Sequence, residues 1–175
     1  NPLASNGSIM TVPDVTKRIK ALQGRGGKLV VVDPRRSETA AIASEHLFIQ
    51  PGTDVALLLG LLNTLFSEQL TRQSPVLDST AGLAEVRDAV AEFTAERMAP
   101  ACGIPVEQIR QLARDFAGAE RAVCYGRMGV SVQRYGTLCQ WLIQVINLVT
   151  GNVDVPGGSL FPEPAFEVAS ARRPG

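Results

Sequence analysis

Two aspartates occupy positions where chemistry is expected. Asp33 closes the β-branched run Lys28-Leu-Val-Val-Val-Asp33, and Asp54 follows the run His46-Leu-Phe-Ile49 through Pro51-Gly52-Thr53. In open α/β sheets ligands gather beyond the carboxyl ends of the strands, so the residues immediately after a strand are the informative ones. A carboxylate there commonly accepts hydrogen bonds from ribose hydroxyls, and a second one at the next strand end can accept from a base. Each also has a plainer role. Asp33 can simply start a turn with Pro34, and Asp54 can complement the dipole of the helix it opens, with Thr53 as the cap. Two carboxylates at successive strand ends together favour a nucleotide.

Other segments could share that rim. The opening Asn1-Pro-Leu-Ala-Ser-Asn-Gly-Ser8 is small and polar, the composition of either a phosphate-cradling loop or an ordinary loop between a strand and a helix. A third apolar run, Ala122-Val-Cys-Tyr125, leads into Gly126-Arg-Met-Gly129, so that Arg127, Met128, Ser131 and Gln133 follow a third expected strand end. The cluster Gly24-Arg-Gly-Gly27 comes before a strand rather than after one and reads as a helix stop, not a dinucleotide fingerprint. His46, the one histidine, lies within a strand with no serine elbow or metal-ligand spacing around it, which points to a structural role. Cys102, Cys124 and Cys139 show no CxxC spacing and read as free thiols of a reducing compartment, with the cytoplasm favoured. No catalytic residue and no metal ligand is assigned.

The elements that must hold these residues alternate. Pro13 suits the first position of a helix running to the glycines at 24–27. A strand over 28–33, a short helix over 37–44 and a strand over 46–49 then form a parallel crossover unit. Residues 54–70 and 137–149 are apolar almost all round, as helices buried on several sides are, and neighbouring domains could cover part of each. Weaker helices are expected at 83–92 and 94–98, the second capped by Thr94. A stronger one spans 105–117, with Val106, Ile109, Leu112, Ala113 and Phe116 on one face. The last 25 residues carry four glycines and four prolines and read as a connecting segment, 151–175, toward a missing domain, after an α/β domain over 1–150. The expected architecture is Rossmann-like, three layers with a mainly parallel sheet and helices on both faces. Seventeen basic and 17 acidic residues cancel without forming a stripe, which argues against nucleic-acid binding by bulk charge. The longest apolar run, Val55 to Leu62, is far short of a bilayer span and gives no membrane contact. The chain opens on Asn1-Pro2 without a starting methionine and reads as a fragment of a longer protein.

Taken in order, several segments resemble the molybdopterin oxidoreductase family, the group of formate dehydrogenase and dimethyl sulfoxide reductase. They are Asn1-Pro2, Lys28-Leu-Val-Val-Val-Asp-Pro-Arg35, Ser37-Glu-Thr-Ala40, His46-Leu-Phe-Ile49, Pro51-Gly-Thr-Asp54, Ile109 with Leu112-Ala-Arg114, Gly126-Arg-Met-Gly129, Leu148-Val-Thr-Gly-Asn152 and Pro156-Gly-Gly158.

The resemblance implies a Rossmann-like domain that holds the guanine-dinucleotide part of a bis(molybdopterin guanine dinucleotide) cofactor with molybdenum or tungsten. The metal ligand, and an iron–sulfur cluster where the family has one, would lie upstream. Carried over by position, Asn1 would contact the diphosphate, Asp33 and Arg35 the ribose and its surroundings, and Gly52, Thr53 and Asp54 the guanine. Gly126, Met128, Gly129 and Gln133 would approach the pterin end, although relatives often have a glutamine one place earlier, where Val132 stands. Implied partners are other domains of the same polypeptide and an electron-transfer subunit, and the fragment alone would be inactive. The alternatives are the molybdenum-free homologous domain of a respiratory NADH dehydrogenase large subunit, and a non-catalytic nucleotide-binding module such as the central domain of thiamine-diphosphate enzymes.

Overall fold

The computed structural model describes residues 1–5 and 12–161, so residues 6–8 of the polar opening and the tail after 161 lie outside it. Helix α1, Val15–Gly24, starts differently from expectation. Asp14, in the left-handed conformation at φ 49°, is its N-cap and accepts from the Lys17 N–H at 3.2 Å, which leaves Pro13 one residue outside the helix. Aspartate tolerates that conformation better than most side chains. The helix ends as the glycines predict, with Arg25 at the C-cap and Gly26 at φ +83° turning the chain.

Strand β1, Val30–Val32, helix α2, Glu38–Ile42, and strand β2, Glu45–Leu47, form the parallel unit. The strands pair Val30 with Glu45, Val31 with His46 and Val32 with Leu47. Ser37, buried, caps α2 by accepting from the Ala40 N–H at 3.3 Å. Lys28 bridges Glu45 at 2.8 Å and Asp115 at 2.7 Å, tying the start of the sheet to a distant helix.

Six helices of the remaining chain, α3, Asp54–Ser67; α4, Pro75–Asp78; α5, Leu83–Val90; α6, Ala95–Cys102; α7, Val106–Gly118; and α9, Gly136–Val149, carry most of the core, and the short α8, Met128–Ser131, precedes α9. The apolar surround of α3 is explained by its position. It packs against α5, α6, α7 and α9 at once, burying Leu57, Leu61, Leu62 and Leu65. Gly60 permits the close approach of α6 and α7, since a Cβ there would stand 3.3 Å from Met98 Cβ and 3.4 Å from Ile109 Cγ2. Helix α9 is buried over a little more than half of its circumference. Leu142, Ile146 and Val149 are buried, while Leu138 and Trp141, 46% exposed, face outward.

Among the described residues this is an α/β domain with nine helices and one two-stranded parallel sheet. The expected third strand at 122–125 is a correction. Peptide groups of Ala122 and Cys124 are bonded by side chains of α9 and the turn after it, not by a strand. Asn147 Oδ1 accepts from the Cys124 N–H at 2.8 Å, Asn147 Nδ2 donates to the Cys124 carbonyl at 2.8 Å, and Asn152 Oδ1 accepts from the Ala122 N–H at 3.2 Å. An extended, apolar segment needs partners for its peptide groups, and two buried asparagines supply them in place of a ladder.

Candidate functional site

The predicted residues fall into two groups. The first surrounds the start of α2. Asn1 Oδ1 accepts from Thr39 Oγ1 at 2.7 Å and its Nδ2 donates to Glu38, while the Leu3 N–H donates to Thr39 Oγ1 at 3.0 Å. The Glu38 carboxyl is held below its ordinary range by its own backbone N–H and then by the Asn1 amide. Asn1 is thus fastened to a helix start, with its side-chain oxygen and nitrogen both engaged. Asp33 Oδ1 accepts from the Arg35 N–H at 2.8 Å, the aspartate turn that Pro34 suggested, and the Arg35 side chain is exposed. His46 is tied to the turn after β1. Its Nε2–H donates to the Asp33 carbonyl at 2.9 Å, because a carbonyl can only accept.

The second group lies where the N-terminus of α3 meets the corner between α8 and α9. Gly52 has φ +78°, with open space where a Cβ would stand, so conformation rather than crowding calls for glycine there. Thr53 occupies the cap position of α3, but its hydroxyl donates back to the Gln50 carbonyl at 2.6 Å and makes no cap bond, contrary to expectation. Asp54 is the first residue of α3, and its Oδ2 accepts from Gln133 Nε2 at 2.8 Å. Beneath it the buried Cys139 thiol is pushed up to about 11, first by burial and then by the negative charge of Asp54.

On the α8 side, Gly126 packs so closely that a Cβ would stand 2.5 Å from Ile143 Cδ1, and its carbonyl accepts from Gln140 Nε2 at 3.2 Å. Met128, 64% exposed, and Gly129 face outward. The sequence assigned Asp54 and Gln133 to opposite ends of an extended cofactor, whereas here they share one hydrogen bond.

Two buried polar atoms of this corner, Arg127 Nη1 and Gln133 Oε1, have no hydrogen-bond partner among the described residues. Buried polar groups are rarely left unpaired. One is a donor and the other an acceptor. Sequence reasoning missed Asn147, Asn152 and Gln140. The available signal was polar residues inside the otherwise apolar stretch 137–152. Among the described residues no three His, Cys, Asp or Glu side chains are grouped to hold a metal ion. Among the described residues no helix is long and apolar enough to cross a membrane.

A parallel strand–helix–strand unit, with polar residues at its strand ends and a second polar corner on the helical side, makes this an α/β domain. The family model for molybdopterin oxidoreductase matches residues 8–163, and the chain belongs to that family. It is 30% identical over 150 residues to the F420-dependent formate dehydrogenase subunit alpha of Methanocaldococcus jannaschii, covering 86% of this chain and 22% of that protein. It is 32% identical over 173 residues to the dimethyl sulfoxide/trimethylamine N-oxide reductase of Cereibacter sphaeroides, covering 90% and 20%. In structure it is similar to acetylene hydratase from Pelobacter acetylenicus, with a TM-score of 0.71 and 28% identity over 77% of this chain and 19% of that one. The chain spans about a fifth of the length of the curated relatives it matches. Membership implies molybdenum or tungsten with molybdopterin.

Proposed function

We propose that this chain holds the guanine-dinucleotide part of a bis(molybdopterin guanine dinucleotide) cofactor in a molybdenum or tungsten oxidoreductase. In this reading the metal is bound by other parts of the polypeptide, with an iron–sulfur cluster and an electron-transfer subunit beyond them. A relative described as a subunit alpha supports the existence of partner subunits. A Rossmann-like three-layer arrangement, with the small parallel sheet continued by chain outside these residues, belongs to the same proposal.

The observation that carries it is the Asp54 carboxylate, fixed by Gln133 at the first position of α3. Guanine offers N1–H and a 2-amino group side by side, and one carboxylate can accept both through charge-assisted bonds. Adenine presents an acceptor at N1 and cannot. Gly52 and Thr53 bring the chain up to the base, Asp33 and Arg35 face the ribose and its surroundings, and Asn1 the diphosphate. Gly126, Met128 and Gly129 lead toward the pterin, while Gln133, bonded to Asp54, belongs with the base. When bound, the cofactor supplies two-electron redox chemistry at its metal. The residues of this chain bind and orient its nucleotide end.

The test is elemental analysis of the full-length protein together with chromatography of nucleotides released by acid hydrolysis. Molybdenum or tungsten accompanied by guanylate in excess of the metal is expected, as a paired cofactor requires. Asp54→Asn should lose most of the guanylate with little change in Tm. Metal and pterin without guanylate would refute the reading.

A further inference from the structure

We draw no further inference here: the strongest candidate, the exposed apolar face that Leu138 and Trp141 form on α9 with Tyr135 at its N-cap, carries nothing because nothing in the structure shows what covers it.

Discussion

Replacing Asn147 with leucine tests whether two asparagines really stand in for a β-strand. The side chain is 1% exposed, and its amide makes a two-way pair with the peptide of Cys124, donating to the carbonyl and accepting from the N–H, each at 2.8 Å. A third bond, to the Ile143 carbonyl at 3.0 Å, lies within the helix. Leucine has the same number and branching of side-chain heavy atoms, so no cavity is left. What is lost is the partner of two half-buried peptide groups, each worth about 1–3 kcal/mol when left unsatisfied, or about 2–6 kcal/mol together. For a domain of this size that corresponds to a fall in Tm of roughly 4–24 °C. Urea unfolding should show a lower midpoint with an unchanged m-value. Asn147→Asp separates hydrogen bonding from shape. Its second oxygen would face the carbonyls of Cys124 and Ile143, and burial would raise its folded pKa. A raised folded pKa means the folded state binds the proton more tightly, so stability is regained as pH falls, whereas the leucine deficit stays constant. A loss below about 1 kcal/mol in both variants would show that the 122–125 segment does not depend on Asn147, and the explanation of the missing strand would fail.

Three further outcomes are expected. Gly136→Ala should cost about 3 kcal/mol or more in urea unfolding, while Gly126→Ala costs about 1–2 kcal/mol. The added Cβ meets the Ser131 carbonyl oxygen at 1.9 Å in the first case, but the mobile Ile143 Cδ1 at 2.5 Å in the second. Stability should decline in alkali, because burial raises the Cys124 and Cys139 thiols from 9.0 to about 11 in the folded state. Their contribution is complete below pH 9.0 and is lost as pH rises toward about 11, so Cys139→Ala should flatten the slope of urea midpoints measured across that range. In acid, Glu68 is held low by the paired guanidinium bonds of Arg114, and Asp115 by Lys28 and then Gln111. Their contribution is present above the ordinary values of 4.5 and 3.8 and is lost as pH falls. These pairs lie near the surface, so Arg114→Ala should remove only a small part of the acid-sensitive stability, and less still in high salt.

How much of this could be read from sequence depends on the range of the interactions. Local signals worked. The short helix expected over 37–44 formed as α2, Thr94 capped α6 with its side chain accepting from Arg97, and the apolar surround of residues 54–67 corresponded to a helix packed on several sides. The run at 122–125 misled because β-branched and aromatic composition reports burial and extension without naming the hydrogen-bond partner. Its partners, Asn147 and Asn152, lie 23 and 30 residues away. Thr53 had the right type and place for a cap, yet the turn at Gly52 sent its hydroxyl to the Gln50 carbonyl. The residues of the candidate site were recognisable one by one, but their grouping was not. Asp54 and Gln133 meet through the packing of α3 on α9, and no local periodicity encodes a contact 79 residues apart.

The grip of Asn147 and Asn152 on residues 122–125 falls entirely on main-chain atoms of Ala122 and Cys124. Such a hold does not register which side chains the held segment carries, and Val123 and Tyr125 are exposed. Substitutions can accumulate at those two positions without altering the path of the chain into Gly126–Gln133. The stretch beside the site is therefore free to change in sequence while keeping its course in space, and the constraint is concentrated in two asparagines, one near the C-terminal end of α9 and one in the turn after it.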